Sequence, residues 1–402
     1  MLQNFLLAFI RLYQKTLSPN KGRFRHILAN KICLHHPHCS EYGYECIEKY
    51  GTWTWLQYTT TRVLSCTGWT TMRYDPSSYR VVFFGSSSIS VPFLEWLYQD
   101  PRFEIVWVVT MPDQPSGRGM KLQPNIVKQK VINHQIWIDW KQEKDNQEAI
   151  VVTPESLRLD SKKYGKQAQK FKKRIEEIQP DLCVVVAYGN IIPQWLLDIP
   201  YFWCINVHGS LLPKYRGASP LQDIFLHKEK ETGLTIMEMD VWVDTGAMID
   251  TIKTNIHHAW TVKDLILWIE KHGPNFLNKT LRSYLKGEVK AIAQDTNKAT
   301  YCSKISKEDG LINIYDNSLD TIYNKRRAYY LWPKTYFIWE RKNGKKIQVI
   351  IEEMQIKENN RRQDHFIYQK NGNWALHADI IELYVKPEGK SKISWDTFVQ
   401  GY

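Results

Sequence analysis

Asn206 and His208 stand two residues apart in the run Cys204-Ile205-Asn206-Val207-His208, a spacing that puts an amide and an imidazole on one face of a strand. A loop marked by Gly209, Pro213, Gly217 and Pro220 follows at once. Asp244 comes downstream in Met239-Asp240-Val241-Trp242-Val243-Asp244-Thr245-Gly246. An amide can donate to a developing oxyanion, and an imidazole titrates near neutrality and moves protons. A carboxylate can orient the ring, raise its basicity or take a proton, directly or through water. Such a set suits acyl transfer to an amine. Taken singly, Asn206 reads as a turn residue and His208 as a satisfied core histidine; only the ordered constellation points to this chemistry.

For these groups to meet, a strand must end at them. From about Tyr79 to Glu288, short apolar runs alternate with helical patterns. Strands are expected at Arg80 to Phe84, Glu104 to Thr110, Asp181 to Ala187, Trp203 to Val207 and Leu234 to Met239, with helices at Val91 to Tyr98 and Lys163 to Ile178. That order predicts an α/β fold with a doubly wound, mainly parallel sheet, whose sites lie beyond the carboxyl ends of the strands. Gly85-Ser86-Ser87-Ser88 turns from strand to helix but lacks both GxGxxG and a Walker lysine, so it is not read as a phosphate loop. From about Lys290 onward, short β-like runs (Lys346 to Ile351, His365 to Tyr368, Ile380 to Val385) between basic turns suggest a small barrel. The division expected is 1–78, 79–288 and 289–402.

With 402 residues the chain exceeds one average core, and its net charge of +12 favours a polyanionic partner, nucleic acid or an anionic membrane surface. No run approaches the ~20 apolar residues needed to span a bilayer. Phe5-Leu6-Leu7-Ala8-Phe9-Ile10 imitates a signal core without a basic segment before it or a cleavage site after it, so secretion is not expected. Seven cysteines in no scaffold spacing fit a reducing cytoplasm. Phe5, Phe9 and Leu12 share one helical face, and Ser18-Pro19 should end that helix. A basic amphipathic helix of this kind can lie on an anionic membrane, although the pattern alone favours a helix packed on its own domain. Cys33, Cys39 and Cys66 with His35, His36 and His38 match no zinc spacing, and no metal is expected.

The segment from about Arg80 to the C-terminus resembles the folate-dependent formyltransferases, and most closely the methionyl-tRNA formyltransferases. The motifs that carry the likeness come in order: Val81 to Gly85, Val109 to Asp113, Gly117-Arg118-Gly119, Ala187-Tyr188-Gly189, Asn206 to Pro220, Asp240 to Gly246, and Arg326-Arg327-Ala328 before Trp332-Pro333. The resemblance implies catalysis by Asn206, His208 and Asp244, with 10-formyltetrahydrofolate as co-substrate and methionyl initiator tRNA as acceptor. It implies a folate site built by Tyr188, Gly189, Ser210, Leu211, Leu212, Pro213, Arg216 and Gly217. It further implies tRNA contact through Arg118, then Lys121, Arg326 and Arg327, and an OB-like C-terminal domain that helps hold tRNA. Lys128, Lys304 and Lys307 could extend the basic track, and Val131 to Val152 reads as a surface insertion. A monomer is expected, acting in the cytoplasm and peripherally at the inner membrane.

The first 78 residues resemble the bacterial membrane protein insertion efficiency factor, a small, mainly helical, cysteine-containing family. Ile10 to Pro19, His38 to Tyr42, Lys49-Tyr50-Gly51 and Cys66 through Pro76 carry that likeness. Thr67-Gly68 stands where the family usually has His-Pro. Two other functions stay open: a formyltransferase acting on an amino sugar or small amine, and a non-enzymatic membrane-surface scaffold. Gln222, the Arg118 loop and the basic C-terminal segment favour tRNA over the former.

Sixteen tryptophans against 20 glycines is a heavy load. Trp203 and Trp242 stand where the formyltransferases have glycine, and Trp55 and Trp107 look similar. The expectation is that the source organism reads UGA as glycine at these positions; ordinary UGG codons there would refute it.

Overall fold

The computed structural model describes residues 2–16, 35–65, 73–74, 76–116, 119–133, 151–341, 343–357, 365–370 and 373–401. It divides into two compact units, 1–80 with 100–104, and 81–99 with 105–402.

In the first unit, helix α1 (Leu2–Thr16) lies on α2 (Cys39–Ser65), which breaks at Gly51 where φ is 77°. Gln3 Nε2 donates to the Ile47 carbonyl at 3.0 Å and Arg11 stacks 3.9 Å over the Tyr44 ring. These contacts use one side of α1. Its other side leaves Leu2, Phe5, Phe9 and Leu12 between 59% and 67% exposed. The helix is therefore both packed on its domain and apolar toward the outside. Ser18-Pro19, Cys33 and Cys66 lie outside the described residues, while Cys39 is half-buried and Cys46 buried.

The second unit is organised by a seven-stranded sheet. Its strands in chain order are β1 (Tyr79–Gly85), β2 (Phe103–Val109), β3 (Val151–Val152), β4 (Leu182–Val186), β5 (Cys204–His208), β6 (Glu231–Glu238) and β7 (Met248–Asn255), and across the sheet they run β7-β6-β5-β4-β1-β2-β3. Pairs β1/β4, β4/β5 and β2/β3 are parallel, whereas β6 and β7 join antiparallel. The central strands β1 and β4 are buried at nearly every position, as a parallel sheet covered on both faces requires. Helices α3 (Ser90–Gln99), α4 (Ile126–Ile132), α5 (Gly165–Ile178), α6 (Pro220–Leu226) and α7 (Val262–Leu285), with a single turn at Gln194–Leu197, accompany this sheet.

A linker containing the short β8 (Tyr301–Cys302) leads to α8 (Leu319–Ala328) and to the antiparallel strands β9 (Thr335–Glu340), β10 (Lys346–Ile356), β11 (Ile367–Lys370), β12 (Asn373–Leu376), β13 (Ile380–Pro387) and β14 (Ile393–Ser394), followed by helix α9 (Trp395–Gly401). Strands β9-β10-β13-β14 form one sheet and β11/β12 a hairpin. Trp339, Trp395 and Phe398 pack edge to face among buried aliphatics, forming a separate core for this region. The stretch 134–150 lies outside the described residues.

Candidate active site

His208 closes β5 opposite Thr235, and Asn206 stands opposite Met237 of the neighbouring β6. The connection from β6 to β7 then brings Asp244 back to the imidazole. Nδ1 of His208 is 3.6 Å from Oδ2 of Asp244, with the two side chains only 7% and 13% exposed. That separation is too long for a hydrogen bond. The ring's other nitrogen, Nε2, lies 2.9 Å from the Tyr215 carbonyl. A carbonyl only accepts, so Nε2 carries a hydrogen and Nδ1 is left facing the carboxylate. The hydrogen bond that orients the ring thus comes from Tyr215, where the sequence reading assigned the orienting role to Asp244. Asp244 is itself held by the Gly217 amide, which donates to Oδ2 at 2.8 Å.

The loop from Ser210 to Gly217 is tied at both ends. Thr235 Oγ1 donates to the Ser210 carbonyl at 2.7 Å and accepts from Leu212 N at 3.1 Å, while Ser210 Oγ donates to the Lys214 carbonyl at 2.6 Å. Thr300, in the linker, receives Tyr215 N on its hydroxyl and Arg216 N on its carbonyl, both at 2.8 Å. Linker strand β8 runs parallel beside Arg216 and Gly217. Gly217 has φ 122°, and a Cβ there would sit 2.2 Å from the Cys302 carbonyl, so the position takes only glycine.

Arg216, expected in the folate site, is 2% exposed, and its Nε and Nη2 donate to Gln294 Oε1 at 3.0 and 2.7 Å. Leu212 and Ser210 are buried, whereas Leu211 and Pro213 line a cavity of about 470 Å3 with Lys214, Tyr215 and Glu229. Tyr188 and Gly189 follow β4. Ser86 Oγ donates to the Tyr188 carbonyl at 2.8 Å and accepts from Met111 N at 3.0 Å, joining the loops that end β1, β2 and β4. The Tyr188 hydroxyl and Ser87 Oγ are buried with no hydrogen-bond partner among the described residues, and burial pushes the Tyr188 phenol up.

The expected tRNA contacts separate into three kinds. Arg118 lies outside the described residues, and Lys121 is exposed on the strand Lys121–Gln123, as are Lys304 and Lys307 in the linker. Lys128 is engaged with Asp113 at 2.8 Å. Arg326 is half-buried, donating to the Glu352 carbonyl at 3.2 Å and stacking on Tyr330. Arg327 is 8% exposed and donates to the carbonyls of Trp260 at 2.6 Å and His257 at 3.0 Å and to Asn324 Oδ1 at 3.1 Å. Its guanidinium works inside the protein, tying α8 to the segment before α7.

Gln294 was not legible in the sequence, because a lone linker glutamine carries no spacing signal. Its Nε2 lies 2.8 Å from the Asp244 carbonyl and 2.7 Å from that of Gly246. The Tyr215 carbonyl was equally hidden, since a backbone group is independent of residue type.

A family model described as formyl transferase matches residues 79–281, and its C-terminal domain model matches residues 304–402. Residues 2–78 match the model of a membrane protein insertion efficiency factor. A methionyl-tRNA formyltransferase of Hydrogenobaculum sp. (strain Y04AAS1) is 34% identical over 327 residues, which span 80% of this chain and 97% of that protein. Another, from Caldicellulosiruptor saccharolyticus, is 33% identical over 324 residues, 80% of this chain and 96% of that protein. Among solved structures, a 4-N formyltransferase from Francisella tularensis aligns with TM-score 0.49 at 17% identity, over 69% of this chain and 99% of that one.

Proposed function

The chain belongs, from residue 79 on, to the methionyl-tRNA formyltransferase family, and from that premise we propose that it moves a formyl group from 10-formyltetrahydrofolate to the amino group of methionyl initiator tRNA. One observation carries the reading: the 327 residues matched to 97% of a relative of that name take in the part of this chain that sets His208 3.6 Å from Asp244.

Asn206 donates its amide to the oxyanion that forms when the amine attacks the formyl carbon. His208 keeps its Nε2 hydrogen on the Tyr215 carbonyl, so a proton arriving at Nδ1 produces an imidazolium braced by Asp244. That cation stabilises the oxyanion and returns a proton to the departing folate nitrogen. Asp244 takes the proton of the attacking amine, directly or through water, and passes it to Nδ1 of His208, so that the same proton ends on the departing folate nitrogen. Folate fits the loop cluster of Tyr188, Gly189 and Ser210 to Gly217, where the unpartnered Tyr188 hydroxyl and Ser87 Oγ offer polar atoms to a heterocycle's edge. Arg118 and Lys121 contact the acceptor end, and residues 289–402 hold the body of the tRNA. Arg327 is left out of this track because its hydrogens are used on protein carbonyls.

The N-terminal domain, 1–78, acts at an anionic inner-membrane surface through the outward face of α1, where Phe5, Phe9 and Leu12 are exposed and Lys15 follows in the last turn. Among the described residues no helix is long and apolar enough to cross a membrane. The enzyme works as a monomer in the cytoplasm, with this peripheral contact.

The test is a substrate comparison with the full chain and 10-formyltetrahydrofolate. Methionyl initiator tRNA should be formylated, and an amino-sugar nucleotide should not. The reverse preference would move the protein to the amino-sugar branch. Flotation with anionic vesicles tests the membrane contact, and salt-independent binding would contradict its electrostatic part.

A further inference from the structure

We propose that Gln294 is a positioning residue for Asp244, by which the linker to the C-terminal domain sets the geometry of the proton-handling pair; this rests on the formyltransferase reading above. The side-chain amide stands between two elements and uses both ends. Its nitrogen donates to the Asp244 and Gly246 carbonyls at 2.8 and 2.7 Å, spanning the residue between them. Its oxygen accepts two hydrogen bonds from the buried Arg216 guanidinium, at 3.0 and 2.7 Å. Arg216 precedes Gly217, whose amide holds the Asp244 carboxylate. Carboxylate and carbonyl of Asp244 are therefore gripped from one small network.

Asp244 needs this grip. Its φ is 54°, a left-handed conformation that a residue with a Cβ adopts only when its surroundings impose it. Gly246 leaves no slack either, since a Cβ there would come 1.9 Å from the Glu238 carbonyl. Freed from Gln294, the 244–246 turn can relax toward ordinary φ values, and the carboxylate leaves the vicinity of His208. A residue that never touches substrate thereby controls the reacting geometry. Its place in the linker, between the Met248 to Ile292 bridge and the Thr300 hydrogen bonds, also gives the C-terminal domain a route to the catalytic loop.

Two variants of the full chain test this. Gln294→Met keeps the shape and removes every hydrogen bond. Gln294→Glu keeps an acceptor for Arg216 and removes the donor to the two carbonyls. Both should lower kcat roughly 10- to 100-fold, the scale of a misplaced catalytic group, with KM for tRNA and folate within about twofold of wild type. In an Asp244→Asn background, single-turnover rates should fall less than about twofold on adding either change, because the group being positioned is already lost. A kcat near wild type in the variant that folds, or a full multiplicative loss in the Asp244→Asn background, overturns the proposal. Absence of formyl transfer by the wild-type chain would instead overturn the parent reading.

Discussion

The Tyr215 carbonyl accepts the Nε2 hydrogen of His208 at 2.9 Å, and this bond decides which ring nitrogen faces Asp244. Because the acceptor is backbone, its position depends on how the loop is anchored, and Tyr215 itself is held at φ 60°. The anchors are threonines 235 and 300.

Thr235→Val should expose that dependence. The fully buried hydroxyl serves both Ser210 O and Leu212 N. An isosteric valine leaves those groups unpaired, at a cost of about 2 kcal/mol. Differential scanning calorimetry should record a fall in Tm of roughly 4 to 8 °C. The formyl transfer rate should drop further than the folded fraction does.

Arg327 and Lys121 should behave oppositely in tRNA binding. Lys121→Ala should leave Tm unchanged and reduce the slope of log K against log salt by nearly one phosphate contact, about 0.7 to 0.9. Arg327→Ala should leave the slope alone and destabilise the fold by about 3 kcal/mol, since it empties a buried cation site that satisfies two carbonyls. A reduced slope with unchanged Tm for Arg327→Ala would return that residue to the tRNA track.

The four conspicuous tryptophans do not share one environment. Trp203 has φ 65° and is 48% exposed, so Trp203→Gly should stabilise the protein by about 1 kcal/mol in urea unfolding. Trp107 is 2% exposed and stacks 5.0 Å from Phe171, so Trp107→Gly should cost at least about 3 kcal/mol. Trp242 is 72% exposed in the Asp244 loop without a positive φ. The backbone thus supports a glycine requirement at 203, while at 107 the indole is part of the core. Peptide masses covering the four positions decide whether the natural chain carries glycine there.

Acid should weaken the loop through Glu229. Burial alone would push its carboxyl up, but hydrogen bonds from Lys214 at 2.9 Å and the Tyr215 hydroxyl at 2.7 Å outweigh it and hold the group below its ordinary value. A depressed folded-state value contributes stability above the unfolded value of about 4.3, and that contribution is lost as pH falls through the folded value. Glu229→Gln should therefore cost up to about 1 kcal/mol at pH 7, and its Tm deficit should begin to shrink as pH falls below about 4.3 and vanish only below the depressed folded-state value. A deficit that stays constant over that range would contradict the assignment.

The central strands were readable because parallel strands buried on both faces are continuous apolar runs, as in Val81 to Phe84 and Leu182 to Val186. Strand β7 and helix α7 were not. Strand β7 alternates Asp250, Thr251, Lys253 and Thr254 along a largely solvated edge, which reads as loop. Helix α7 carries Gly273-Pro274 at its centre, normally a break. The structure needs the glycine because a Cβ there would meet Phe93 of α3 at 2.3 Å. Asn206, His208 and Asp244 were legible as chemistry, since their spacing survives in the chain. Gln294 and the Tyr215 carbonyl were not, because they act through tertiary contacts with residues 50 and 7 positions away.

The central claim is that His208, set by Tyr215 and facing Asp244, performs the proton handling of formyl transfer. The most direct measurement is the initial rate of formyl-methionyl-tRNA formation by the full chain and by His208→Ala, with methionyl initiator tRNA and 10-formyltetrahydrofolate saturating. The account predicts a fall in kcat of at least about 100-fold, with folding and tRNA affinity retained. Equal rates for the two proteins would contradict it.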